Sequence, residues 1–161
     1  MNKFRLKQIG IIHSPYKEPK GTPIQPVSGE AVEGEVEVFR KYRKGLKDLD
    51  GFSHVILIYF FHLILKSQLR VIPYMDKRSH GVFSTRAPGR PNPIGISVVE
   101  LLDIDKNILR VRDLDIVDGT PLLDIKPYVP DFDRRPDAKI GWLENHIQNL
   151  RYTKDDERFI D

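Results

Sequence analysis

Gly95–Val117 reads GISVVELLDIDKNILRVRDLDIV. Aliphatic, largely β-branched residues run on both sides of Asp105-Lys106-Asn107, a short polar turn sequence. The stretch therefore predicts an antiparallel hairpin turning at Asp105–Asn107. On the return arm Val111 continues the phase of Leu109, but Leu114 and Ile116 fall on the opposite parity. A one-residue slip near Arg112–Asp113 predicts a β-bulge there.

Working outward, the neighbouring segments are also short and β-like. Ser53–Phe61 (SHVILIYFF) is apolar on both faces, as a central strand should be. Phe4–Ser14 predicts a first strand, Glu35–Phe39 a half-buried strand, Gly81–Thr85 a short strand, and Leu123–Tyr128 one more. Lys44–Phe52 (KGLKDLDGF) predicts a turn or single helical turn. In Asp137–Leu150 the residues Ile140, Leu143, Ile147 and Leu150 recur at three-to-four spacing and predict one helix. Many short strands and one helix indicate an all-β barrel or sandwich. The 161 residues suit one domain. We expect the β domain over residues 1–135, with a C-terminal helix and tail over 136–161.

Composition excludes several chemistries. There is no Cys, which removes disulfides, thiolate zinc sites and Cys nucleophiles. The five histidines form no close-spaced ligand set, so no metal is expected. No G-x-G pair, Walker A loop or G-x-S-x-G elbow occurs. The longest apolar run, Val55–Leu65, contains His62 and is too short to span a bilayer. We expect a soluble cytoplasmic protein without a membrane partner. The net charge of +3 is uneven: residues 1–50 carry +3, residues 51–100 +4 and residues 101–161 −4. The basic excess sits in Phe39–Lys47 (FRKYRKGLK) and Lys77–Arg90. It fits either a solvated face or a polyanion such as RNA.

Three clusters could carry chemistry. Ser84–Ser97 (STRAPGRPNPIGIS) is stiffened by Pro88, Pro91 and Pro93, and Arg86 can offer a planar fork to a carboxylate or phosphate. It reads equally as a rigid crossover or a binding loop. Asp118–Pro121 is a turn signature. Beyond it Asp124, Lys126 and Tyr128 alternate onto one strand face, forming either a solvated edge or a site. The Pro-rich loop Ser14–Glu30 contains Gly21–Pro26 (GTPIQP), and His62 follows the central strand in FFHL. A lone His there is either a core-edge residue or a site residue.

The runs IGIIHSPY, FSHVILIYFFH, GVFSTRAPGRPNPIGIS and DLDIVDGTPLLDIKPY together resemble the TsaA-like family, in order from about Ile9 to Tyr128. The characterised members are tRNA methyltransferases of the TrmO type. The resemblance implies a single β-barrel, non-Rossmann methyltransferase. It implies S-adenosylmethionine as cofactor, and methylation of N6 of N6-threonylcarbamoyladenosine at position 37 of a tRNA. It also implies a site near a homodimer interface. Carried over by motif, the cofactor would meet Pro23, Ile24, Gln25, His62, Leu63, Arg86, Val98, Asp118, Gly119, Thr120 and Pro121. Family members often have arginine where this chain has Ile24, and some carry a further C-terminal domain. Asp118 or Asp124 would accept the substrate proton, with Lys126 and Tyr128 polarising the ureido carbonyl. Arg40, Lys41, Arg43, Lys44, Lys77, Arg78 and Arg90 would contact RNA. The alternatives are a non-catalytic RNA- or ligand-binding barrel and a methyltransferase acting on a small metabolite.

Overall fold

The computed structural model describes residues 3–26 and 31–160; residues 27–30 of the Pro-rich loop lie outside the described residues. Six strands close into an antiparallel barrel: β1 (Gly10–His13), β2 (Glu33–Val38), β3 (His54–Phe60), β6 (Ile94–Asp105), β7 (Ile108–Arg112) and β8 (Thr120–Pro127). Their order around the barrel is β1-β2-β7-β6-β3-β8, and β8 pairs back to β1. A separate two-stranded ribbon joins β4 (Arg70–Val71) to β5 (His80–Gly81). No helix among the described residues is long and apolar enough to cross a membrane.

Alternation fills the barrel. Ile12, Val36, Val55, Leu57, Val99, Leu109, Val111 and Leu122 point inward and are fully buried. Burying each such side chain contributes roughly 1.5–3 kcal/mol. Inward positions turn polar only at one end, where Tyr59, Ser97 and Thr120 are buried. Gly95 belongs to the same end. A Cβ there would collide with the Tyr59 ring, so the strand approaches that ring only because it carries glycine.

The hairpin forms as expected, with Asp105 opposite Ile108 across a two-residue turn and Lys106 at φ 57°. The expected bulge does not lie on the return strand. β7 simply ends at Arg112, and Asp113 adopts φ 69°, a left-handed conformation that resets the parity. The ladder's irregularity lies instead on β6, between Leu101 and Asp103. Beyond Asp113, Leu114 and Ile116 are buried and plug the barrel end.

Other boundaries differ for physical reasons. The first strand shortens to Gly10–His13, and Phe4 and Leu6 lie exposed before it. Gly81–Thr85 is mostly a 3₁₀ turn, Val82–Ser84. There Ser84 Oγ and Thr85 Oγ1 donate to the carbonyls of Gly81 and Val82, competing with strand pairing. The C-terminal helix is realised as two 3₁₀ turns, Gly141–Asn145 and Ile147–Tyr152, separated by His146 at φ −124°. Gly141 at φ 59° prevents a continuous α-helix from starting earlier. The one α-helical turn among the described residues is α1, Pro130–Asp133.

Register sorts the loops onto two ends. One end carries the start of β3, the end of β2 and the β6–β7 turn, and it is covered by the 3₁₀ turn Arg40–Leu46. Tyr42 and Leu46 of that turn pack against the core. The other end gathers the ends of β1, β3 and β7 with the starts of β2, β6 and β8. The Pro-rich loop, the Ser84–Pro93 loop and Asp113–Gly119 all meet there.

Candidate active site

Two adjoining cavities open at that second end. The smaller, about 160 Å³, is walled by Tyr59, Phe61, Ile94–Ile96 and Ile116 and by Thr22–Gln25 of the Pro-rich loop. The larger, about 660 Å³, lies between the Tyr74–Ala87 region, β6 and the two C-terminal 3₁₀ turns. Ile24, Gln25, Arg86 and Ile96 belong to both walls.

The Ser84–Ser97 loop holds its shape through Arg90. The Arg90 Nη1 donates to the carbonyls of Thr85 at 3.1 Å and Ala87 at 3.4 Å. Arg90 also lines the smaller cavity, so it braces the loop from inside. Pro91 and Pro93 fix the chain on either side of Asn92. This stiffness leaves Arg86 exposed, with its Nη1 donating to Gln25 Oε1 at 2.9 Å. That bond joins the Ser84–Ser97 loop to the Pro-rich loop across the cavity mouth.

The C-terminal segment completes the walls. Trp142 donates Nε1–H to the Ser84 carbonyl at 2.8 Å and stacks on His80 at 4.5 Å. Leu143, Ile147 and Leu150, the stripe read as helical, face the larger cavity. The tail returns as a strap: Pro23 bridges Lys154, and Asp155 exchanges backbone hydrogen bonds with Gly21 and Thr22. It brings Asp155, Phe159 and Ile160 to the smaller cavity. There burial raises the hydroxyl pKa of Tyr74 far above its ordinary value, and burial also raises the Asp155 carboxyl.

One cavity residue escaped the sequence reading. Asp115 sits between the two plugs Leu114 and Ile116, so its side chain turns the other way, into the smaller cavity. Protein surrounds it except toward the cavity, through which it keeps partial solvent access. Its Oδ1 accepts a hydrogen bond from Ser97 Oγ at 2.6 Å, and Ser97 Oγ lies 3.0 Å from the Tyr59 hydroxyl. Burial pushes the Asp115 carboxyl up to about 7, against the opposing pull of the Ser97 hydrogen bond and the Arg86 charge. The available signal was the parity slip itself: an acid between two apolar residues at a strand's end.

The motif residues separate into groups. Pro23, Ile24, Gln25, His62, Leu63, Arg86 and Thr120 line the smaller cavity, and Val98 lines the larger. Burial lowers the pKa of His62, which favours its neutral imidazole. Asp118, Gly119 and Pro121 line neither cavity. Asp118 instead ties the Pro-rich loop down: it accepts from Lys17 Nζ at 2.8 Å and from the Ser14 amide at 3.0 Å. Those bonds, Lys17 first, hold its carboxyl below the usual range. Asp124 and Lys126 pair with each other at 2.8 Å on the outer face of β8, and Tyr128 meets the ring of His54 edge-on. None of these three lines a cavity. A carboxylate neutralised by a lysine outside the cavity is poorly placed to take a proton within it.

The basic residues separate likewise. Arg40, Lys41, Arg43 and Lys44 lie on the 3₁₀ turn at the opposite end of the barrel. The length of β3, seven residues or about 20 Å at strand rise, keeps them from the cavity. Lys77 and Arg78 follow shortly after Met75, a wall residue of the larger cavity, and line neither cavity themselves; Asp76 accepts both of their amides. The Arg78 guanidinium lies 3.5 Å from the same carboxylate. Among the described residues no His, Asp or Glu cluster suits a metal ion.

Comparison with known proteins adds the family. The tRNA-methyltransferase O N-terminal domain matches residues 11–134. A probable S-adenosyl-L-methionine-binding protein of Pyrococcus abyssi is 60% identical over 96% of this chain and 84% of its own length. The tRNA (adenine(37)-N6)-methyltransferase of Escherichia coli is 38% identical over 90% of this chain and 66% of its own length. A crystal structure of TrmO from Pseudomonas aeruginosa superposes with a TM-score of 0.75 at 38% identity, over 87% of this chain. The chain spans 62% of the length of that structure. With the barrel, the Ser84–Ser97 loop and the cavity all in place, this chain belongs to the TrmO family, sharing its N-terminal domain.

Proposed function

We propose that this protein is an S-adenosylmethionine-dependent methyltransferase that methylates N6 of N6-threonylcarbamoyladenosine at position 37 of tRNA. The observation that carries the reading is the charge arrangement around the two adjoining cavities, which share Arg86, Ile24, Gln25 and Ile96. Arg86 offers a cationic fork and Asp155 a carboxylate, beside the apolar side chains of Phe61, Ile94 and Ile116. The cofactor is a carboxylate, an ammonium and a sulfonium joined to an adenosine, so each part has a complement here. When bound, it supplies an electrophilic methyl group. The chain's own part is to orient that group, exclude water and accept a proton. Gln25 holds Arg86 in place, and the tail closes the wall.

Incubation with cofactor and unfractionated tRNA, followed by digestion and mass spectrometry, should show a methyl gain on threonylcarbamoyladenosine. Cofactor binding without any tRNA product would favour a small-metabolite substrate, and no binding at millimolar cofactor would favour a non-catalytic module. If RNA is bound through Lys77, Arg78 and neighbouring phosphate contacts, affinity should fall steeply with salt. The Arg40–Lys44 group can then touch only a distant part of the same RNA.

We also read the protein as a homodimer acting where tRNA is found, in the cytoplasm. Ile56, Ile58 and Phe60 on the outside of β3 stand opposite Val98, Ile96 and Ile94 on β6. Phe60, Ile94, Ile96 and Val98 are all exposed, a ladder of apolar side chains that a monomer would leave in water. It borders both cavities and the Asp124–Lys126 pair. Ile96→Lys should shift the protein to monomer in analytical ultracentrifugation while leaving its circular dichroism unchanged. A wild type that is already monomeric would overturn this reading.

A further inference from the structure

Besides the permanently charged Arg86 and Arg90, the smaller cavity is lined by His62, Asp115 and Asp155. Asp155 is already engaged, accepting from the Glu157 amide at 2.7 Å and paired with the Tyr74 hydroxyl. Asp115 has Ser97 as its only side-chain donor among the described residues, and that bond falls on Oδ1. Ser97 has one hydroxyl proton and gives it to Asp115. The neutral Tyr59 hydroxyl must therefore donate to Ser97 Oγ, and the whole chain of hydrogen bonds points at the carboxylate. Strands β3 and β6 supply Tyr59 and Ser97, so the carboxylate is held by the barrel wall rather than by a loop.

We propose that Asp115 is the proton acceptor of the transfer, taking the hydrogen of the attacking substrate nitrogen on Oδ2 while Ser97 holds Oδ1. This rests on the methyltransferase reading above. The nitrogen's lone pair forms the new bond to the methyl carbon as the carbon–sulfur bond breaks, its electrons staying on sulfur. The N–H electrons return to nitrogen and the proton goes to Asp115. One positive and one negative charge disappear together, which a partly desolvated cavity favours. The proton later leaves to water through the cavity mouth. A ureido nitrogen is a weak nucleophile, so a base titrating near working pH is the useful kind. The titratable and charged groups that line this cavity with Asp115 are Tyr59 from β3, Arg86 and Arg90 from the Ser84–Ser97 loop, and His62, Tyr74 and Asp155 around the remaining wall.

The test is Asp115→Asn, which keeps an acceptor for Ser97. At saturating cofactor and tRNA, kcat should fall by about 10²–10⁴-fold, and the acid limb of the wild-type pH profile, near 7, should vanish. His62→Gln should keep that limb, whatever it does to the rate. Two readouts need no turnover. Carboxyl ¹³C titration of the cofactor-free protein should show an aspartate midpoint near 7 that the variant lacks. A carboxyl raised in the folded state stabilises below its unfolded value and loses that contribution as pH rises through about 7. Asp115→Asn should therefore raise Tm relative to wild type more at pH 8 than at pH 5. A wild type inactive on tRNA would sink the methyltransferase reading and this role with it. An active wild type whose variant keeps kcat and the acid limb would overturn this role alone. So would a variant that loses only cofactor affinity by calorimetry, since Asp115 would then be a cofactor ligand.

Discussion

Leu57→Ala should lower the unfolding free energy by about 2–5 kcal/mol, read as a shift of the denaturation midpoint at unchanged slope. Leu57 is fully buried at the middle of β3, the strand paired on both sides, opposite Ser97 of β6 and Ile125 of β8. A six-stranded barrel has room only for its own inward side chains. Strands bonded all the way round cannot slide inward to refill the space, so the cavity term stays near its maximum. A loss below about 1 kcal/mol would mean that the barrel collapses around the gap, contrary to this closed topology.

Arg86→Ala should weaken S-adenosylmethionine binding by about 10–100-fold, the range expected for one charge-assisted hydrogen bond. The fold should stay intact, because Arg86 is exposed and, among the described residues, its side chain donates to Gln25 alone. Calorimetry and thermal denaturation of the same sample separate the two effects. A large drop in Tm would instead assign Arg86 to bracing the two loops. The substitution carries a second signature. The Arg86 charge pulls the Asp115 carboxyl down from the value that burial alone would give. Without it the Asp115 midpoint should move upward, and the acid limb of activity should move with it. Arg86→Lys should keep most of the electrostatic pull and lose the planar fork, so binding suffers more than the pH profile does.

Much of the candidate site was legible because its motifs are local. The prolines around Asn92 declare a stiff loop, and stiffness is what places Arg86 against Gln25. The stripe Leu143, Ile147, Leu150 announced an inward face, and that face lines the larger cavity although the backbone coils as 3₁₀ rather than α. Asp118 was legible as part of a turn but not as a brace, because its partner Lys17 is contributed by another loop far away in the chain. Asp124 and Lys126 share a strand face, as alternation requires, yet nothing local says whether that face looks into a cavity or outward.

By itself the sequence determined the β-rich architecture, the hairpin at Asp105–Asn107, the rigid Ser84–Ser97 loop and the Pro-rich loop around Gly21–Pro26. These follow from periodicity, turn chemistry and proline geometry, which act over a few residues. Only the tertiary structure decided that the Arg40–Lys44 run faces away from the cavity. It alone also joined Tyr59, Ser97 and Asp115 into one chain of hydrogen bonds. That last arrangement depends on barrel closure and on the left-handed turn at Asp113, which sends Leu114 and Ile116 into the barrel and Asp115 into the cavity. A carboxyl's proton affinity is set by what surrounds it, and residues distant in sequence supply those surroundings only once the chain has folded.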